Sequence, residues 1–227
     1  VKLTTMPYTK AECVILNGVE CEPYITADYR LMTERADEVL VGLDLLMRAA
    51  KVERGYIGIG ANMPSAIALM QQKAANDDRV EIVPLQAKYP QGGEKQLVDA
   101  VLHRLVPAPP AVTANVGAIV INVATAFAVY EAVMKHKPLF ERYVTVSGKE
   151  MAHPANFLVR IGTPVRQLID ACGGLPVSDN KILWGGPMRG VSLDTLDVPV
   201  VKGLAGLTIM SGSEAHRHTP EPCIRCA

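Results

Sequence analysis

Aromatic side chains are scarce in this chain of 227 residues, at 5%, with one tryptophan and three phenylalanines. A platform for stacking nucleic-acid bases is therefore not expected. Charge of one sign is also missing. The 23 Lys and Arg balance the 23 Asp and Glu, and a net charge of zero excludes the basic surplus that broad nucleic-acid or anionic-membrane binding requires. Cysteines are few, at positions 13, 21, 172, 223 and 226. Such an odd, uneven set, with no leader-like opening residues, reads as a reducing compartment and not as a disulfide framework. The longest uncharged run, 105–130, has the length of a bilayer span. However, Pro107, Pro109 and Pro110 open it, and Asn115, Gly117, Asn122 and Thr125 interrupt it. It divides into a proline-rich loop, a strand (VGAIVI) and a helix (ATAFAVYEAVM), so no membrane span is read. What is present, 49% hydrophobic and 20% charged residues, is the balance of a folded globular chain.

Strand and helix patterns alternate over the first 135 residues. ECVIL (12–16), GYIGIG (55–60), RVEIVPL (79–85) and VGAIVI (116–121) are apolar without a period of two, as strands buried on both faces are. Between them lies a long amphipathic helix with apolar residues at 36, 39, 40, 43, 46, 47 and 50. Further helices are expected from Pro64 to Ala75, Gly93 to Leu105 and Ala124 to Lys135. The order predicts an α/β fold, a mostly parallel sheet with packed helices. After Lys137-Pro138 the pattern changes. RYVTVSG (142–148) and NFLVRIG (156–162) alternate apolar with polar residues. A short helix follows, with Thr163 as its cap, Pro164 in its first turn and Gly173-Gly174 as its stop. KILWGG and VPVVK add strands, giving a small α+β unit.

Four segments carry candidate chemistry. NGVECEP (17–23) follows the first strand, at the sheet edge where open parallel sheets bind ligands. Asn17, Glu20 and Glu22 there can hydrogen-bond hydroxyl or amide groups, although a polar connection with carboxylates at a helix start would look the same. KYPQGGEKQL (88–97) offers a close backbone approach at Gly92-Gly93, a helix N-terminus, a stackable Tyr89 and two lysines, Lys88 and Lys95. In INVATA (121–126), Asn122 and Thr125 are polar within an apolar stretch, and from the residues alone a helix cap is a better account of them than a ligand. PCIRCA (222–227) holds a C-x-x-C pair, half of an iron–sulfur, zinc or redox-dithiol site, with His216 and His218 nearby. The glycines of GYIGIGAN lack the G-x-G-x-x-G spacing and read as packing.

NGVECEPYITADYRLM, KYPQGGEKQL, NVATAFAVYEAV and PCIRC, in this order, resemble the RnfC family, the C-type component of the Rnf complex, an ion-translocating ferredoxin:NAD+ oxidoreductase of bacteria. That family is similar in turn to the flavin-bearing NADH-oxidising subunit of respiratory complex I. The resemblance implies a Rossmann-like domain for FMN and NAD(H) at 1–138 and a β-grasp (SLBB) domain at 139–212. Residues 213–227 would be a linker and the start of a domain with 4Fe–4S clusters. It also implies electron transfer from nicotinamide through flavin to those clusters, with no general acid or base. By motif, Asn17, Glu20 and Glu22 would face flavin and nicotinamide nucleotide. Tyr89, Gly92, Gly93 and Glu94 would line the same pocket, and Asn122 would approach the FMN phosphate. Val1-Lys2-Leu3 is similar to the end of the family's glycine-rich loop, making Lys2 a flavin-side cation. Cys223 and Cys226 would be the first two cluster ligands. The implied partners are the other Rnf subunits, NADH and, indirectly, ferredoxin, on the cytoplasmic face of the cell membrane. Two other readings are a related cobalamin reductase of propanediol-utilisation microcompartments and a non-catalytic docking module.

Overall fold

In the computed structural model, which describes residues 11–176 and 180–215, the chain forms two units. The first holds four parallel strands: β1 (Cys13–Gly18), β2 (Arg54–Gly60), β3 (Val80–Leu85) and β4 (Ala118–Asn122). Their order is β3-β2-β1-β4, with β1 in the middle. Along β1, Val14 and Leu16 join one hydrophobic cluster while Cys13 and Ile15 join another. Alternate side chains of a strand point to opposite faces, so β1 is apolar at each of these positions because both of its faces are covered.

Helices α1 (Ala27–Glu34), α2 (Ala36–Ala50), α3 (Pro64–Ala74) and α5 (Val123–Met134) bury Leu31, Leu43, Met70 and Phe127 in the first cluster. Helix α4 (Glu94–Leu102) covers the second with Leu97 and Val98. Gly42 lets α2 meet α5 directly, since a Cβ there would lie 2.1 Å from the carbonyl oxygen of Ala126. The glycines expected to serve packing do so: a Cβ on Gly55 would meet Met47 Sδ at 2.7 Å, and one on Gly58 would meet Leu97 Cδ1 at 2.7 Å. The helical stretch after the first strand is broken at Arg35, whose φ of −134° and ψ of 37° end α1 and start α2.

The second unit is a mixed sheet of order β6-β5-β9-β7-β8, with α6 (Val165–Ala171) packed on it through Val165, Leu168 and Ile169. Its strands are β5 (Glu141–Ser147), β6 (Ala155–Arg160), β7 (Lys181–Trp184), β8 (Val191–Leu193) and β9 (Gly206–Met210). Three expectations need correction here. Pro164, in extended conformation, precedes α6 in place of Thr163, because Thr163 exchanges backbone hydrogen bonds with Arg160 and Val200. VPVVK (198–202) is not a strand, and only Pro199 makes an isolated bridge, to Pro164. The central β9 was missed, as its GLTIM is buried almost throughout and carries no alternating pattern. Among the described residues, no helix is long and apolar enough to cross a membrane.

Candidate functional site

The path from β1 through β2 to β3 runs to one side of the sheet, and β4 then returns to the other side of β1. At such a switch point the connections leave in opposite directions, so a crevice opens beyond the carboxyl ends of the two adjacent strands. Asn17 and Asn122 stand there as register partners. Asn17 Nδ2 donates to the carbonyl of Gly92 at 2.8 Å, and its Oδ1 accepts from the Val19 N–H at 3.2 Å. Asn122 Nδ2 donates to Asp28 Oδ2 at 2.7 Å and to the Asn17 carbonyl at 3.3 Å. Its Oδ1 accepts from the Ala124 N–H at 2.8 Å and so caps α5. A side-chain amide has two N–H bonds. Asn122 uses both to tie β4 to β1 and α1, whereas Asn17 donates one among the described residues.

Glu20 lies at the turn beyond β1 with a φ of 42°, a left-handed conformation costly for a residue with a side chain. Its carboxylate holds the turn by accepting from the Asp28 N–H at 2.8 Å and the Tyr29 N–H at 3.0 Å. It thereby caps α1, a task that the nominal cap Thr26 leaves undone. Burial, and then the neighbouring charge of Asp28, push the Glu20 carboxyl up to about 8, although the backbone N–H groups oppose the shift. Asp28 is raised as well, by burial, while the Asn122 hydrogen bond and the Arg142 charge pull it back.

Glu22 takes another direction. Its Oε2 accepts from the Met188 N–H at 3.0 Å, fastening the segment after β1 to the second unit. The seam continues through Ser147 Oγ donating to the Tyr24 carbonyl at 2.5 Å and the Thr26 N–H donating to Thr145 Oγ1 at 3.0 Å. Tyr24, at a φ of 68°, also donates its hydroxyl to Glu214 at 3.0 Å.

A cleft of about 380 Å³ lies between the units and brings Asn17, Glu20, Glu22, Gly92 and Asn122 together. Its far wall comes from the second unit, with Trp184, Arg189 and the glycines 185, 186, 190 and 203. Tyr89 is not in it. That ring, exposed, borders a recess of about 280 Å³ on the other side of the segment 20–22, together with Lys88 and Asn62. The two recesses share Glu20, Cys21 and Glu22. Gly92 is pressed against this segment: a Cβ there would lie 3.0 Å from Cys21 Sγ. Gly93 precedes α4 and Glu94 is its exposed first residue, so neither borders the cleft. Lys95 donates to the Pro107 carbonyl at 2.6 Å and does not line the cleft. Lys2, Cys223 and Cys226, with His216 and His218, lie outside the described residues. Of the other cysteines, Cys13 is buried and its thiol is pushed up to about 11 by that burial, as an inert core residue would be.

Sequence reasoning missed Asp28, Arg142, Trp184 and Arg189. Asp28 sits on a helix that the motif had already entered, where an Asp in the first turn is ordinary. The other three belong to the second unit, and no spacing rule links them to residues more than a hundred positions away.

A family profile described as the Nuo51 FMN-binding domain matches residues 1–131. The chain belongs to the Nuo51 FMN-binding family. An SLBB domain profile matches residues 143–192, on the second sheet. Over its whole length the chain is 43% identical to the C component of the Na+-translocating ferredoxin:NAD+ oxidoreductase complex of Acetobacterium woodii, covering 51% of it. It is 42% identical to the C component of the ion-translocating oxidoreductase complex of Rhodobacter capsulatus, covering 44%. The chain thus spans about half the length of the curated relatives it matches. The resemblance to the RnfC family read from the motifs is borne out, and the microcompartment reductase and docking readings are not favoured. A chain of an NAD+-reducing [NiFe]-hydrogenase in the H2-reduced state shares the fold, with a TM-score of 0.73 at 18% identity over 92% of this chain and 42% of that one.

Proposed function

We propose that this chain is the flavin- and nicotinamide-handling part of the RnfC component in an ion-translocating ferredoxin:NAD+ oxidoreductase. The observation that carries this reading is the Asn17–Asn122 pair at the switch point of an FMN-family sheet, opening into a cleft with Glu20 and Gly92. The residues present fit a flavin. The volume of about 380 Å³ is that of a small-ligand site, and amide, carboxylate and bare backbone converge in it. Asn17, with its spare N–H, and the Gly92 backbone would hold the polar edge of the ring. Asn122 and the start of α5 would face its phosphate side, with Lys2 as a cation toward the flavin. Glu20 and Glu22 would border the nicotinamide nucleotide, and Tyr89, Gly93 and Glu94 would lie on the outer side of that approach.

Bound FMN supplies two-electron exchange with nicotinamide and one-electron exchange with iron–sulfur clusters. The chain's own part is alignment and exclusion of water. The first unit fixes its amides through internal hydrogen bonds before any ligand arrives, and the second unit closes the cleft. Cys223 and Cys226 would be the first two ligands of a 4Fe–4S cluster in the part of the protein that follows. In this reading residues 1–138 are the nucleotide domain, 139–212 the β-grasp domain and 213–227 the approach to the clusters. NADH and the other subunits of the complex are the direct partners, ferredoxin is an indirect one, and the protein sits peripherally on the cytoplasmic face of the bacterial membrane.

The test is an anaerobic titration with NADH of full-length protein reconstituted with FMN. Loss of the flavin's visible absorbance at stoichiometric NADH is expected. Protein that retains FMN but is not reduced overturns the nicotinamide half of the reading, and protein that retains none overturns the whole.

A further inference from the structure

Asn122 approaches a ligand only as well as it is held, and its strongest tie is to Asp28 Oδ2 at 2.7 Å. The same Asp28 offers its backbone N–H to Glu20 at 2.8 Å. One residue on the first turn of α1 therefore supports two residues of the cleft by different atoms. A carboxylate in that place is costly, since burial and Glu20 both oppose its charge. The compensating charge comes from the other unit. Arg142 on β5 borders a second recess, of about 330 Å³, together with Asp28, Asn122 and Thr125. Its guanidinium is held in place by the carbonyls of Lys202 and Tyr143. It loses solvation there, and the Asp28 charge offsets part of that loss. This recess shares Asp28, Asn122, Gly203 and Ala205 with the main cleft, so the two form one continuous groove along the seam.

We propose that Asp28 is a positioning residue for the flavin site, orienting Asn122 directly, and that Arg142 of the second unit, which lines the same recess, supports Asp28 in that place. The proposal rests on the reading of the cleft as a flavin site and deepens it. It makes the β-grasp unit an electrostatic part of the nucleotide domain. The charged groups that face this pair are Glu20 and Glu22 after β1, Lys202 before β9 and Arg189 after β7. The first two oppose the Asp28 charge and the last two support it.

A stability cycle without ligand tests the coupling in full-length protein. An acid whose value is raised on folding costs stability as pH rises from its unfolded value through its folded one. Replacing Arg142 by Met removes a neighbouring positive charge and so raises Asp28 further. Arg142→Met should therefore lower the urea midpoint much more at pH 8 than at pH 4. In an Asp28→Asn background the same replacement should cost equally at both, and Arg142→Lys should restore most of the difference. Equal cost at both pH values in the Asp28 protein overturns the Arg142 half. The second arm is FMN binding by fluorescence quenching. Asp28→Ala should weaken it roughly tenfold, the loss expected for one charge-assisted hydrogen bond. Asp28→Asn, which can still accept from Asn122, should recover part of it. Wild-type affinity in Asp28→Ala overturns the positioning role. Should the wild-type protein bind no FMN, the flavin reading fails, and the stability cycle still decides whether the two residues are coupled.

Discussion

On the first unit's wall of the cleft, Asn17, Glu20, Glu22, Asp28 and Asn122 converge, and each is already engaged in hydrogen bonds. On the facing wall stand Gly185, Gly186, Gly190 and Gly203, with Trp184 and Arg189 as the larger side chains beside Val191 and Leu204. The first wall is preorganised: its polar groups are aimed by strand ends and a helix start that a buried core holds still. The second acts through shape at Gly186 and Gly190, where a Cβ would meet Glu22 and the Gly186 carbonyl respectively. Polar groups and bare backbone are thus divided between two units joined at the segment 20–26.

The largest expected effect comes from undermining the first wall. Leu16 on β1 is fully buried immediately before Asn17. Leu16→Ala should cost about 2–5 kcal/mol of unfolding free energy and release bound FMN. A variant with that loss of stability but wild-type flavin content would mean that the strand end is not what aims Asn17.

A smaller effect is expected from the second wall. A Cβ on Gly186 would lie 2.3 Å from Glu22 Oε2 and 2.8 Å from its Cδ. Gly186→Ala should cost about 1–3 kcal/mol by overpacking and loosen the hydrogen bond from Met188 to Glu22. Limited proteolysis at the seam, compared with wild type, reads the opening. Unchanged protection would show that the seam tolerates a side chain and is not matched by shape.

The last concerns Glu20 and appears as a slope. Its carboxyl is raised from 4.5 to about 8 in the folded protein, so the folded state holds the proton more tightly than the unfolded one across that window. Stability should therefore fall as pH rises from about 5 to about 8. Glu20→Gln should flatten this slope in urea titrations, with its advantage over wild type greatest at the alkaline end. An unchanged slope would assign it to another group.

Much of the fold was legible because its signals are local. Two-sided burial writes itself into β1, β2 and β4 as unbroken apolar runs, and α3 opens at Pro64 as a proline-started helix should. The cleft's first wall was legible for a related reason: parallel strands put their carboxyl ends on one edge, so the residues just after each strand are already neighbours. Glu20 and Glu22 show where such reasoning stops. They are two positions apart with the same chemistry, yet one turns inward to cap α1 and the other reaches across to Met188. Strained backbone at Glu20 and Tyr24 separates their paths, and no residue type at those positions announces it. Tyr89 fell in the neighbouring recess because the segment 20–22 stands between it and the cleft.

What the amino-acid order determined alone was the alternation of buried strands with covering helices, and hence an edge where polar residues gather. Those properties follow from periodicity and from backbone hydrogen bonding within a few residues. Only the folded chain decided that Arg142 stands by Asp28, and that Asn122 spends both amide protons inside the protein while Asn17 does not. Burial and charge compensation depend on distances between segments remote in sequence, and those distances exist only once the two units have closed on each other.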